Sequence, residues 1–226
     1  MSASGPPPLD PAARAALETV LSLLAEERAS VSSVVDQRAW KVHVEDSLTG
    51  LEVPELREAG RIADVGAGAG FPGLVLAVAL PDAQVDLIES VGRKCEFMRG
   101  AIEAAAISNA AVVNLRSEEW AAERGREAYD LVTARAVARL STLAELASPL
   151  LREGGHLIAW KGRRDEDEEA QLARAAASLA MSPGQILDVG HRAGSEHRHL
   201  HVIEKSGPTP SDLPRRPGIA KKRPRG

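Results

Sequence analysis

Ten residues, Asp64-Val65-Gly66-Ala67-Gly68-Ala69-Gly70-Phe71-Pro72-Gly73, constrain the fold of this chain more than any other feature. They follow a short β-branched run, Arg61 to Val65, and lead into an apolar segment of helical character, Gly73 to Leu80. Glycine tolerates positive φ and lets a ligand approach the backbone without meeting a Cβ, so a strand, turn and helix of this composition predict a nucleotide-type cofactor site. The next such run, Gln84 to Glu89, ends in a carboxylate about 20 residues on, where it can accept hydrogen bonds from both ribose hydroxyls. A tight turn that binds nothing would leave the placement of Glu89 unexplained.

Gly68, Gly70 and Gly73 also satisfy G-x-G-x-x-G, so a dinucleotide fold stands beside an S-adenosylmethionine fold. Two features favour the methyl donor. Asp64 lies two residues before Gly66, and Pro72 removes a backbone N–H at the helix start, where a pyrophosphate would seek one. Asp64, Gly66, Gly68, Gly70 and Glu89 are therefore candidate cofactor contacts.

Runs at Arg61 to Val65, Gln84 to Glu89, Ala111 to Leu115, Tyr129 to Ala134 and Gly155 to Lys161 alternate with helical patterns at Gly73 to Leu80, Val91 to Ala106, Glu118 to Arg124 and Leu140 to Leu151. This alternation predicts an α/β fold with a mostly parallel sheet joined by right-handed crossovers. Gln185 to His191 and His199 to Lys205, separated by a Gly/Ser loop, predict an antiparallel hairpin at the sheet edge, which suits a methyltransferase sheet. Ahead of the sheet, Asp10 and Pro11 open a helix through about Glu27 on Ala12, Ala16, Val20, Leu23 and Leu24. A second helical segment, Asp36 to Leu51, places Trp40, Val44, Ser47, Leu48 and Leu51 on one face. The expected organisation is a flexible N-terminus (1–9), a helical cap (10–58), a methyltransferase domain (59–206) and a flexible basic tail (207–226). Nine of the 14 prolines lie in residues 1–11 and 207–226, where apolar residues are sparse.

Composition narrows the function. Six aromatic residues are too few for rows of base-stacking platforms. The single cysteine, Cys95, allows neither an intrachain disulfide nor a cysteine-rich zinc site, and no segment reads as a membrane span or signal peptide, so a cytoplasmic protein is expected. His197, His199 and His201 alternate along one strand; a solvated or edge-strand face accounts for them, and no metal is expected. Charge is unevenly spread. Arg215, Arg216, Lys221, Lys222, Arg223 and Arg225 occur without an acid after residue 214, so against a total of −4 this tail of +6 leaves the rest at −10. Such segregation calls for a polyanionic partner, and RNA is the natural candidate.

The sequence resembles the bacterial 16S ribosomal RNA guanine-N7 methyltransferases, also called glucose-inhibited division protein B or the RsmG family. The resemblance is carried by the stretch from Asp64 to Gly73, by Glu89-Ser90 with Lys94 and Phe97, by Arg116-Ser117-Glu118-Glu119 and by Arg135-Ala136. Lesser matches are His43 with Asp46-Ser47-Leu48, Lys161-Gly162, Arg198-His199-Leu200, and Pro214-Arg215-Arg216-Pro217-Gly218 with Lys221-Lys222. Before Trp40 the chain has Val31-Ser32-Ser33 where many relatives carry Asn-Leu-Thr. The resemblance implies a class I S-adenosylmethionine-dependent methyltransferase, Rossmann-like, acting on 16S rRNA of the small ribosomal subunit. It implies that Gly66 and Phe71 touch the methionine and ribose side of the cofactor, that Glu89 holds the ribose, and that Ser117 and Glu118 flank the adenine. Arg135 matches a cofactor-site arginine that can also face an RNA phosphate. With Arg135, the expected RNA contacts are Lys161, Arg198, Arg215, Arg216, Lys221, Lys222 and Arg223.

Transfer to guanine N7 requires no general base, because N7 already offers an in-plane lone pair to the electrophilic sulfonium. Positioning and desolvation are then the main catalytic contributions, and no catalytic residue is assigned unless Arg135 acts as one. Thr133-Ala134-Arg135-Ala136 is not the Asn-Pro-Pro-aromatic sequence used for exocyclic amines, and Cys95 lies on a predicted helix, away from the position a cytosine C5 adduct needs. His43, Asp46 and Ser47 share a helix face and are expected to brace the cap. Left open are a methyltransferase acting on a small molecule or protein, a nucleotide-dependent dehydrogenase and a non-catalytic RNA-binding protein. A monomer is expected.

Overall fold

The computed structural model describes residues 9–27, 32, 34–190 and 197–226. Asp10 accepts a hydrogen bond from Ala13 N at 2.7 Å and Pro11 sits in the first turn of helix α1 (Pro11–Glu26), so the helix opens where its capping residues predict. Leu17, Val20 and Leu24 turn inward. The second helical segment is shorter than expected, because Asp36 accepts from Arg38 N and forms a local turn instead. From Trp40 the chain runs through one widened π turn (Trp40–Glu45), α2 (Asp46–Leu48) and a 3₁₀ turn (Thr49–Glu52), and α3 (Pro54–Arg57) follows.

The alternating part of the chain comprises β1 (Arg61–Val65), α4 (Gly73–Ala79), β2 (Gln84–Ile88), α5 (Gly92–Ala104), β3 (Ala110–Val113), α6 (Ser117–Ala121), β4 (Tyr129–Arg135), α7 (Leu140–Ala147) and β5 (Leu151–Lys161). There follow α8 (Glu166–Ala176), β6 (Met181–Asp188), β7 (His199–Lys205) and a last short helix, α9 (Ile219–Lys222). The sheet order is β3-β2-β1-β4-β5-β7-β6; the first five strands are parallel, and β7 runs antiparallel to both β5 and β6. The hairpin is therefore the predicted one, with its second strand tucked inside the sheet. That insertion corrects the reading of the histidines: His201 is only 4% exposed, and its side chain does not lie on a solvated face. His191, the predicted end of β6, lies outside the described residues.

Each face of the sheet has its own core. Leu17, Val44, Leu51, Leu74, Leu76 and Met98 pack with Ile62, Leu131 and Trp160 on one side. Leu143, Ala147, Leu172 and Leu179 pack with Val132, Leu157 and Ile203 on the other. The segments expected as a cap thus share a core with the sheet. Trp160 fixes them, donating from Nε1 to Asp46 O at 2.9 Å, and Gly50 leaves room for its ring.

The expectation of a flexible tail is corrected most sharply. Residues 207–226 pack on the domain: Leu213 and Ala220 are buried, and Arg215 forms a paired contact with Glu145 at 2.5 Å on both arms. Pro and Gly keep this segment out of the sheet without freeing it. Of the N-terminal segment, residues 1–8 lie outside the described residues.

Candidate active site

Strand order reverses between β1 and β4, and in open α/β sheets ligands bind outside the carboxyl ends of the strands at such a point. The glycine-rich turn leaves β1 there. Gly66 has φ +69°, and a Cβ on it would lie 2.7 Å from Val137 Cγ2, so the two arms of the reversal come too close for any side chain. Asp64 Oδ2 accepts from Gly73 N at 2.9 Å and Oδ1 accepts from the Thr133 hydroxyl at 2.9 Å, which ties the start of α4 to β1 and β4. Burial pushes the Asp64 carboxyl up to about 6 against these two stabilising bonds. At 1% exposure it braces the turn and does not line the cleft, which corrects its expected role as a cofactor contact.

A cleft of about 300 Å³ opens beside the turn. Gly66 and Glu89 line it, as do Ser117 and Glu118 from α6 and residues 136–138 after β4. Ala136 enters it in the left-handed region at φ +58°, a costly conformation for alanine that turns the chain sharply away from β4. Glu89 Oε1 accepts from Val91 N at 2.9 Å and Oε2 from Gly68 N at 3.1 Å, which fixes the carboxylate and leaves a lone pair on each oxygen. Lys94 Nζ lies 3.9 Å away. Glu118 Oε2 accepts from the Ser117 hydroxyl, and Oε1 accepts from Gly218 N at 2.8 Å. The last contact is unforeseen. Gly218, Ala220 and Lys221, from the supposed tail, line the same cleft.

Besides Asp64, four expected cofactor residues do not line it: Gly68, Gly70, Phe71 and Arg135. Gly68 acts through its bond to Glu89. The Phe71 ring stacks on His43, with centroids 4.5 Å apart and planes 13° apart. Arg135 turns toward the cap, donating from Nη1 to Val42 O at 2.9 Å and Asp46 Oδ2 at 2.8 Å, with Nη2 3.3 Å from His43 Nδ1. Arg198 Nε lies 2.6 Å from Asp46 Oδ1, an ion pair without the alignment of a hydrogen bond. One carboxylate, 2% exposed, thus faces two guanidinium groups. Burial lowers the His43 pKa, and the Arg135 charge lowers it further, partly opposed by the bond to Val34 O and by Asp46.

Other expected RNA contacts are occupied internally. Lys161 Nζ donates to Glu168 Oε1 at 2.7 Å, and the same oxygen accepts from Leu140 N, so this pair holds the start of α7. Arg215 is taken up by Glu145. Arg216, Lys221, Lys222 and Arg223 remain exposed and make no ion pair with any described residue. Among the described residues, no three His, Cys, Asp or Glu side chains are grouped to hold a metal.

A five-strand parallel order that reverses beside a glycine-rich turn, closed by one inserted antiparallel strand and facing a carboxylate at the end of β2, defines a class I methyltransferase. The cofactor-bound protein Rv0187 of MTB shares this fold at TM-score 0.56 and 18% identity, over 88% of this chain and 91% of that one. Residues 19–200 match the family described as GidB, rRNA small subunit methyltransferase G, and the chain belongs to that family. It is 46% identical over 186 residues to the ribosomal RNA small subunit methyltransferase G of Rubrobacter xylanophilus, covering 80% of this chain and 71% of the relative. The enzyme of that name from Moorella thermoacetica is 34% identical over 220 residues, 96% of this chain and 92% of the relative.

The sequence reading missed the pairing of Arg135 and Arg198 with Asp46, although the acid stood in a matched motif. It also missed Gly218 and Ala220 as cleft residues, which no local pattern signals.

Proposed function

We propose that this chain transfers a methyl group from S-adenosylmethionine to N7 of a guanine in 16S rRNA of the small ribosomal subunit. The observation that carries the reading is the cleft at the strand reversal, whose Glu89 carboxylate is held by Gly68 N and Val91 N with acceptor capacity to spare. The cleft has the size of a small-ligand pocket, and Gly66, where a Cβ would collide with Val137, presents bare backbone to it. Glu89 would hold the ribose hydroxyls, Ser117 and Glu118 the adenine side, and Gly66 with residues 136–138 the methionine side. When bound, S-adenosylmethionine supplies an electrophilic methyl on a sulfonium.

The protein's part is alignment and exclusion of water, since N7 needs no proton removed. Two guanidinium groups over one carboxylate leave the seam between cap and sheet one positive charge in excess, beside the end of β4, where a phosphate of the target nucleotide would be attracted. Arg216, Lys222 and Arg223 add exposed cations for the RNA backbone. Among the described residues no helix is long and apolar enough to cross a membrane, which fits a cytoplasmic enzyme acting on the ribosomal subunit.

Incubation with radiolabelled S-adenosylmethionine and small subunits from a strain lacking the modification, followed by mapping of the labelled base, tests the proposal. N7-methylguanine at one position of 16S rRNA is expected. Label in another base, or none, overturns it. Gly66→Arg should abolish cofactor binding and lower stability as well, because a side chain there meets Val137 from a left-handed backbone.

A further inference from the structure

Residues 213–223 do more than hang basic charge on the surface. Leu213 and Ala220 are buried, and Arg126 Nη1 reaches Leu213 O. Arg215 meets Glu145 of α7 with two parallel contacts at 2.5 Å, and that carboxylate is only 2% exposed. Such bidentate pairs fix direction as well as position. The chain then turns at Gly218, φ +80°, whose N–H donates to Glu118 Oε1, and Ala220 O accepts from the Thr142 hydroxyl at 3.3 Å. Two of the tail's tethers thus end on residues that themselves line the cleft, Glu118 and Thr142.

Resting on the cofactor reading above, we propose that Gly218, Ala220 and Lys221 form the wall of the cleft at the adenine end of the cofactor, and that the Arg215–Glu145 pair holds this wall shut. The fold sets the direction. The turn after β1 and the residues after β4 enclose one end of the cleft, Glu89 after β2 the middle, and Ser117 and Glu118 after β3 the other end; Gly218 docks at that end through Glu118, and Ala220 reaches across to Thr142 of α7. Any adenosine-bearing ligand that fills this end touches both Glu118 and the docked segment, so it binds the docked arrangement more tightly than the undocked one. By linkage, such a ligand holds the segment down. Lys221 brings a cationic donor to a wall otherwise lined by Ser117, Glu118 and Ala220, suited to the acceptor nitrogens of a purine.

The experiment uses the full chain, with calorimetric titration of S-adenosylhomocysteine and of adenosine. Wild-type binding of S-adenosylhomocysteine is the first arm, and its absence overturns the cofactor reading itself. Given that binding, Arg215→Ala, which touches no cleft atom, should weaken both ligands by about tenfold, the worth of roughly one net hydrogen bond. Lys221→Ala should weaken both by a similar or smaller factor, and Arg215→Lys should restore part of the loss. Limited trypsin cleavage at Lys221 and Lys222 supplies a readout that needs no variant: S-adenosylhomocysteine should slow it severalfold in the wild type. Unchanged affinities in both alanine variants with ligand-independent cleavage overturn the wall. So does a loss confined to S-adenosylhomocysteine with adenosine unaffected, which would place the segment at the methionine end.

Discussion

Two seams join the N-terminal and C-terminal segments to the sheet domain, and they are built on different arithmetic. At the cap, the buried Asp46 carboxylate is shared between Arg135 and Arg198, with His43 stacked on Phe71 beside them. At the tail, the equally buried Glu145 is matched to one close partner, Arg215, with Arg225 4.0 Å off. The first seam has positive charge left over at the strand ends, while the second is nearly spent on itself. An excess of cation invites an incoming anion, whereas a closed bidentate pair only fixes geometry. On the proposed function the cap seam would meet RNA, and on the further proposal the tail seam would shape the pocket.

Substitution at the two acids should separate the seams most strongly. Asp46→Ala strands two arginines whose side chains are 13% and 22% exposed, and it should cost about 3 kcal/mol of stability in chemical denaturation. Glu145→Ala strands chiefly one, which can swing outward, and about 2 kcal/mol is expected. Equal losses would mean that Arg198 contributes nothing to its pair. Next, replacing Arg216, Lys222 and Arg223 together with alanine should flatten the salt dependence of RNA binding, by about 0.7 to 0.9 in the log–log slope for each phosphate that is no longer neutralised. Cofactor affinity should hold, because none of the three lines the cleft. An unchanged slope would confine the RNA-binding surface to the cap side.

The smallest effect is in pH. Burial holds the folded-state pKa of His43 below its ordinary 6.5, so the folded protein binds this proton less readily than the unfolded chain does. Stability from the neutral ring is fully present above pH 6.5 and is lost as pH falls below it, when a charged imidazole would face Arg135. His43→Asn should remove that component from the stability profile between about pH 5 and 7. No such component should follow Arg215→Ala, since a guanidinium does not titrate there.

The sheet was legible because its signals are local. Arg61 to Val65 is an apolar-rich run bounded by Gly60 and Gly66, and β1 has those limits. Where local chemistry is mixed, boundaries moved. β5 begins at Leu151, ahead of the predicted Gly155, because Arg152, Glu153 and Gly154 do not read as strand. β6 begins at Met181, ahead of the predicted Gln185, and carries Pro183, which its edge position tolerates. Charges were the least legible. Arg135, Lys161, Arg198 and Arg215 all read as RNA contacts, yet each finds a carboxylate, and for three of them it lies 70 to 152 residues away in sequence: Arg215 with Glu145 is 70, Arg135 with Asp46 is 89, and Arg198 with Asp46 is 152. Spacing along a chain carries no trace of partners that only tertiary structure brings together. Glu89 was identifiable as a cleft residue because its place depends on the end of a strand, which the pattern does show.

The inserted strand also sets an order of assembly. Among the described strands β6 has no neighbour in the sheet except β7, so it can join only with or after β7, and residues 199–205 must reach the edge of β5 for the sheet to close. Until they do, β5 presents an open row of backbone donors and acceptors to any passing strand, a hazard for association between unfinished molecules. The same event delivers Arg198, which precedes β7, to Asp46. Closing the sheet and charging the cap seam are thus a single step, and a molecule still at risk of sticking to its neighbours is also one whose proposed RNA-facing seam is incomplete.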